Sequence, residues 1–269
     1  MLFAATGLPG CPVEATDGRV GTVKDFWFDD QSWKVRWMVV DVGHWAPGRQ
    51  VLIHPLSIAP LDLSQPSHRG LPMMRGPDTP VVSVRLTKQK VEASPDVRED
   101  EPVSEELEAN LCDYYECHRS WGTSYFGPNA IATPLSPPPI FFQAPAARET
   151  EDTERHSSER DPHLRSVRSV DGYHVHATDG DLGHVENFLA DDGNWDIRYL
   201  VIATRDWWPG KHVKLSRYAV KKIDSAERHI AVNVTREQIK TSPAWDPLAL
   251  ADPAGEESYH SHFGWPGYD

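Results

Sequence analysis

Adjacent aspartates occur twice, as Asp29-Asp30 and Asp191-Asp192, and paired carboxylates are what acid–base catalysis or a metal site uses. Neighbouring side chains leave an extended backbone in different directions, and aspartate is a common turn former, so both pairs read as turns. Cys112, Cys117 and His118 form one potential ligand cluster, and His260 with His262 another. A structural zinc site wants a tight cysteine pair matched by a second pair, which neither stretch supplies. His174 and His176 flank Val175, so an extended chain places both on one face. There they could hold a cation weakly or exchange protons near neutral pH. Without a third ligand, two solvated histidines are the plainer reading. Trp45 and Trp207-Trp208 stand before Pro-Gly pairs. One tryptophan suffices to cap the end of a barrel, which leaves Trp208 to serve as contact surface. No Gly-rich phosphate loop, nucleophile elbow or dinucleotide fingerprint is present. The residues therefore imply no catalytic set, no metal centre and no cofactor. The binding candidates are Trp45, Trp207, Trp208, His174 and His176.

These residues recur because the chain repeats itself. A constant shift of 162 aligns residues 13–58 with 175–220 without a gap, preserving among others Thr16-Asp17-Gly18, Gly21, Val23, Phe26, Trp33, Arg36 and Trp45. A second shift of 148 aligns Val82–Ser94 with Ile230–Ser242, the difference being an insertion around "QPSHRGLPMMRGPD". This is duplication of a whole domain rather than a solenoid array.

Each copy reads as short strands separated by turns. Asp17-Gly18 and Asp179-Gly180 are tight-hairpin residues. Val23 and Phe26 fall on opposite parities in the strand Gly21–Phe28, which signals a bulge. Val35–Val42 and Ile197–Thr204 are β-branched and aromatic, as central strands are. Short strands follow at Gln50–Ile53 and His212–Leu215, and the last at Val81–Leu86 and Ile230–Val234. Thr235 with Gln238 makes a capping box for a short helix, Thr87 holds the matching cap, and Ser94-Pro95 and Ser242-Pro243 end both helices. Five or six antiparallel strands with one short helix are expected to close into a small barrel, removing exposed edges. Each copy is expected to fold on its own.

Composition divides the 269-residue chain further. Residues 1–95 carry ten Lys/Arg against nine Asp/Glu, residues 96–162 five against fifteen, and residues 163–269 twelve against sixteen. Most of the net charge of −13 thus lies in the middle. Neither half has the basic excess that nucleic acid demands, so no nucleic-acid partner is expected. Residues 119–162 form a proline-rich, acidic linker that cannot bury enough surface to offset its ordering, and which should hold the two copies apart. The resulting division is 1–95 for the first repeat, 96–118 for a short amphipathic helix and aromatic tail, 119–162 for the linker, 163–243 for the second repeat and 244–269 for an aromatic C-terminal tail. In "SEELEANLCDYYE" Ser104 caps a helix bearing Leu107, Leu111, Tyr114 and Tyr115 on one face. Both tails are read as packing back on the barrels. No apolar run is long enough to span a membrane, the N-terminal residues make a poor secretion signal, and three cysteines build no disulfide framework. A soluble, cytoplasmic protein is expected.

The stretch "YHVHATDGDLGHVENFLADDGNWDIRYLVIATRDWWPGKHVKLSRYAV" resembles the PRC-barrel family, named for the cytoplasmic barrel of the photosynthetic reaction centre H subunit. The resemblance covers residues 2–95 and 164–243, two tandem copies, and rests on the Asp-Gly turn, the Gly-x-Val strand and the Trp-Pro-Gly loop. It implies a mainly β protein of two small PRC-type barrels, each with a short C-terminal helix, joined by the linker. These motifs specify fold and supply no catalytic residues. Family members include the H-subunit barrel, a domain of a ribosome-maturation factor and many free-standing bacterial proteins; unlike the H subunit, this sequence shows no N-terminal membrane helix. The function expected is that of a bacterial, non-enzymatic protein-binding or scaffolding module, with self-association or pairing of the barrels as further options. Alternatives are an accessory to a photosynthetic or membrane electron-transfer complex, and a metal- or small-molecule-binding sensor using the surface histidines.

Overall fold

The turn and strand signals resolve into two antiparallel-dominated sheets. The computed structural model describes residues 1–43, 48–62, 80–95, 97, 103–115, 161–204, 212–243 and 253–268. Residues Met1–Arg98 and His163–Asp269 form one compact unit, and Glu99–Pro162 another. In the second unit, helix α2 (Glu105–Tyr115) begins as its sequence implies, Leu107 N–H donating to Ser104 Oγ at 3.2 Å, with Leu111 and Cys112 buried.

In the first unit, one sheet of six strands holds β2 (Pro12–Ala15), β3 (Gly18–Asp29), β4 (Val35–Asp41), β5 (Gln50–Ile53) and β6 (Val82–Ser83), ordered β5-β4-β3-β2-β6. Helix α1 (Lys88–Glu92) follows it, capped by Thr87. The equivalent seven-stranded sheet holds β8 (His174–Ala177), β9 (Gly180–Asp191), β10 (Ile197–Ala203), β11 (His212–Ser216), β12 (Val220–Asp224) and β13 (His229–Val232), ordered β11-β10-β9-β8-β13-β12. Helix α3 (Val167–Val170) precedes β8, and helix α4 (Arg236–Thr241) carries the capping box of Thr235 and Gln238. The parity slip is a register shift between Val23 and Asp25 opposite β4, matched by one between Val201 and Ile202 opposite β9. Among the described residues neither sheet closes on itself; both are open, ending at β11 and β12 or at β5 and β6.

The remaining strands, β1 (Leu2–Ala4) and β7 (Leu164–Ser166), are exchanged. Strands β3 and β9 have twelve residues each, far longer than the four-residue β2 and β8 beside them. That mismatch leaves backbone donors and acceptors open along one end of each long strand, and unpaired buried groups are costly. Strand β1 of the first half fills the gap on β9, pairing Leu2, Phe3 and Ala4 with Asp191, Ala190 and Leu189. Strand β7 of the second half fills the gap on β3, pairing Leu164, Arg165 and Ser166 with Asp29, Phe28 and Trp27. The two pairings are related by the same shift of 162 as the sequence repeat. Each half thus completes the other, so the halves do not stand apart as the linker composition suggests.

Tryptophans lock the exchange. Trp33 and Trp195 each adopt φ 60°, a left-handed conformation that costs a bulky residue on the order of 1–3 kcal/mol. From that position Trp33 C=O accepts from Ile197 N–H at 2.7 Å, and Trp195 C=O accepts from Val35 N–H at 2.9 Å. Lys34 and Asp196, equivalent positions, bridge to each other and form an ion pair at 2.8 Å. The Trp195 ring packs edge-on against Phe3 at 5.5 Å, while Phe28 meets both Trp33 and Phe188. Phe3, Phe26, Phe28 and Phe188 are fully buried, each contributing about 1.5–3 kcal/mol.

A buried polar pair completes the seam. Asn187 Oδ1 accepts from Thr6 N–H of the exchanged segment and from Phe188 N–H. At the equivalent site, Asp25 accepts from Arg168 N–H, Phe26 N–H and the Ser166 hydroxyl. Burial raises the Asp25 carboxyl above its usual range, against the lowering effect of these donors. A raised folded-state value contributes stability below the unfolded value of 3.8 and loses it as pH rises through the folded value.

Two outcomes follow from the seam. Residues 1–118 and 163–269 expressed separately should be molten or self-associated, and should regain near-UV circular dichroism on mixing; a monomeric half that unfolds cooperatively would contradict the exchange. Asp25→Asn, which installs the residue already found at position 187, should raise the melting temperature at neutral pH and flatten its decline from acid to neutral pH. Thermal unfolding across that range checks it.

Candidate functional site

The outer face of the second sheet gathers the chemistry. In β8, His174 and His176 point outward around buried Val175, as alternation requires. His174 is the register partner of His184 on β9 and of His229 on β13. The same row continues from His184 to Ala203 on β10 and from Ala203 to His212 on β11. Directly paired residues share a face, so four histidines and one small alanine run in a line across five strands. His176 lies beside the row, its ring 5.5 Å from that of His229 and nearly perpendicular to it. Glu186 Oε2 meets His212 Nε2 at 2.7 Å. The Asp171 carboxyl is raised mainly by desolvation and next by Glu186, with His184 opposing.

The backbone beneath this row is closely approached. Gly183 has φ +123°, and a Cβ there would overlap the carbonyl oxygen of Ala203. Gly21 stands in the same relation to Asp41 in the first sheet. The corresponding row of that sheet is Pro12, Thr22, Asp41 and Gln50, without a histidine. It borders an open cavity of about 420 Å³ lined by Arg19, Thr22, Asp41 and Gly43. Two equivalent faces therefore carry different chemistry.

A second cluster lies under the C-terminal helix α5 (Pro253–Phe263). Tyr259 is buried against Leu189, Tyr199 and Val201, with Phe263, Trp265 and Tyr268 packed around it. The Tyr199 hydroxyl lies 2.5 Å from Glu256 Oε1 and 2.9 Å from His260 Nε2. His260 Nδ1 lies 2.5 Å from the Pro266 carbonyl, which only accepts, so Nδ1 carries the hydrogen. Burial lowers the His260 value, and the neutral ring leaves Nε2 as an acceptor. The Tyr199 hydroxyl is then the hydrogen that Glu256 and His260 compete for. Burial pushes Tyr199 and Tyr259 up, so both hydroxyls stay protonated at neutral pH. The Tyr268 hydroxyl donates to Arg198 C=O at 2.5 Å, and its ring stacks on Tyr218. This is a sealed docking contact rather than an open active site.

The aspartate pairs are consumed by turns and by the exchange. Asp29 Oδ1 accepts from Ser32 N–H and from the Ser32 hydroxyl, and Asp191 Oδ1 accepts from Gly193 N–H. Asp30 holds His163 at 2.9 Å and Arg165 at 2.7 Å. His260 and His262 do not converge: His260 is buried under Tyr199, while His262 Nε2 meets Gln238 C=O at 3.0 Å. Cys117 and His118, like Trp45, Trp207 and Trp208, lie outside the described residues. Sequence reasoning found His174 and His176 but missed His184, His212 and His229. They lie on other strands, and only the register brings them into line. The one legible signal was divergence between copies, since these positions align with Thr22, Gln50 and Val81.

Residues 1–59 match the family model described as PRC-barrel domain. No curated protein matches the chain. No helix among the described residues is long and apolar enough to cross a membrane.

Removal of the Tyr199 hydroxyl tests the docking contact. Tyr199→Phe keeps the ring but leaves Glu256 and His260 without their shared donor, a loss of about 1–3 kcal/mol. Amide exchange in residues 253–268 should accelerate while β9 and β10 stay protected. Unchanged exchange would show that apolar packing alone holds the tail.

Proposed function

We propose that the chain is a non-enzymatic tandem PRC-barrel protein, its second half a second copy of the domain matched in the first. It serves as a protein-binding or scaffolding module in a bacterial cytoplasm. The observation that carries this reading is the contrast between the two outer rows. The halves keep equivalent turns, bulges, seam tryptophans and exchanged strands, yet Pro12, Thr22, Asp41 and Gln50 stand where His174, His184, Ala203 and His212 stand. One body thus offers two non-equivalent faces on a single scaffold, which suits bringing partners together. The aspartate pairs are spent on turns and ion pairs, and Tyr199 with His260 on tail docking, which leaves little for acid–base catalysis. The acidic balance argues against a nucleic-acid partner.

Trp208 is assigned the contact role and Trp207 the structural one, since position 45 also holds tryptophan while position 46 is alanine. With the full chain immobilised as bait in cell extract, Trp208→Ala should weaken capture of its protein partner by about 2 kcal/mol, or roughly thirtyfold. It should leave the melting temperature unchanged, whereas Trp207→Ala should lower it. Equal destabilisation by both would assign Trp208 to the core and overturn the role given to it.

A further inference from the structure

We infer that the histidine row on the second sheet is a binding site for a divalent transition-metal cation, with His174 and His184 as its central ligands. This inference goes beyond the protein-binding reading and does not depend on it. Imidazole nitrogen is the donor that zinc, copper and nickel cations share as a preference. Directly paired residues on antiparallel strands hold their Cβ atoms about 4.5–5.5 Å apart. Two imidazoles on such positions can reach one cation with bonds of about 2.0–2.1 Å to zinc. His229 stands on the other side of His174, within one strand spacing of about 4.8 Å, and supplies a third donor. Its ring already lies against His176.

Among the described residues no three ligands are gathered on one point. Closing the site therefore requires side-chain rotation, which exposed side chains perform in picoseconds to nanoseconds. His174 and His176 are exposed, and His184 and His229 half-buried, so the rings are free of the packing that would forbid it. Glu186 and Asp171 add negative charge beside His184, favouring a cation there. Fold requirements do not explain the histidines, because the equivalent positions of His174, His176, His184 and His212 in the first half are Pro12, Glu14, Thr22 and Gln50, and an equivalent set of paired strands forms around them. Five of the thirteen histidines in the chain lie on this one face.

The test is isothermal titration of the full chain with zinc chloride and, separately, nickel chloride near neutral pH. The expected result is one cation bound with an affinity on the order of 10 μM. The double variant His174→Gln/His184→Thr should weaken that affinity at least about tenfold, with metal-free thermal unfolding unchanged. His184→Thr installs the residue that position 22 already tolerates. His163→Gln/His262→Gln, outside the row, should bind as the parent does. Zinc should also raise the melting temperature of the parent and not of the row variant. Failure of the parent to bind more tightly than about 1 mM, or retention of full affinity by the row variant, would overturn the assignment.

Discussion

Two twelve-residue strands, each with a four-residue neighbour along one edge, leave backbone hydrogen bonds unmade there, and everything else in the first unit depends on how that deficit is met. Each half lends three residues to the other, Leu2–Ala4 to β9 and Leu164–Ser166 to β3. The lent strands carry Phe3 and its neighbours into the shared core, so backbone pairing and apolar burial act together. The left-handed tryptophans are tolerated because their carbonyls then serve the opposite half. Local strain is offset by cross-half bonding and ring packing.

This arrangement has the form of a twofold dimer written in one chain. An isologous interface requires each contact to occur twice with partners exchanged, and the pairs Trp33–Ile197 and Trp195–Val35 meet that condition. Lys34 and Asp196 show what fusion permits. Equivalent positions facing each other in a true homodimer would carry like residues, whereas here they carry opposite charges at 2.8 Å. Asp25 and Asn187 diverge in the same way around a shared backbone bond. Carrying both halves in one chain frees each to specialise at the seam and on its outer face.

The residues that receive the C-terminal segment also differ between the two sheets. On the second sheet, Tyr199, Tyr218 and Ser216 receive Tyr259, His260 and Tyr268 from the C-terminal segment. At the first sheet the equivalent residues are Trp37, Leu56 and His54, with Trp37 edge-on to His54 and Leu56 exposed. Burial, followed by the nearby Arg36, lowers the His54 value to about 4, so that ring is neutral at physiological pH. A neutral His54 accepts Leu56 N–H and caps the short helical turn after β5.

Local signals in the sequence determined most of the elements. Asp-Gly turns, β-branched central strands, the parity slip at Val23 and Phe26, and the Thr87 and Thr235 caps are short-range effects, and each has its counterpart in the structure. The repeat disclosed that the two halves share one plan, and outward alternation placed His174 and His176 on one face. Tertiary structure alone decided the rest. Leu2–Ala4 and Leu164–Ser166 are three-residue strands with no pattern of their own, so their partners follow from where β9 and β3 lack hydrogen bonds. The open order of both sheets among the described residues belongs to the same long-range pairing. His184, His212 and His229 join His174 only through strand register, a relation between residues up to 55 positions apart. Sequence periodicity reports which side of a strand a residue faces, but not which strand lies beside it.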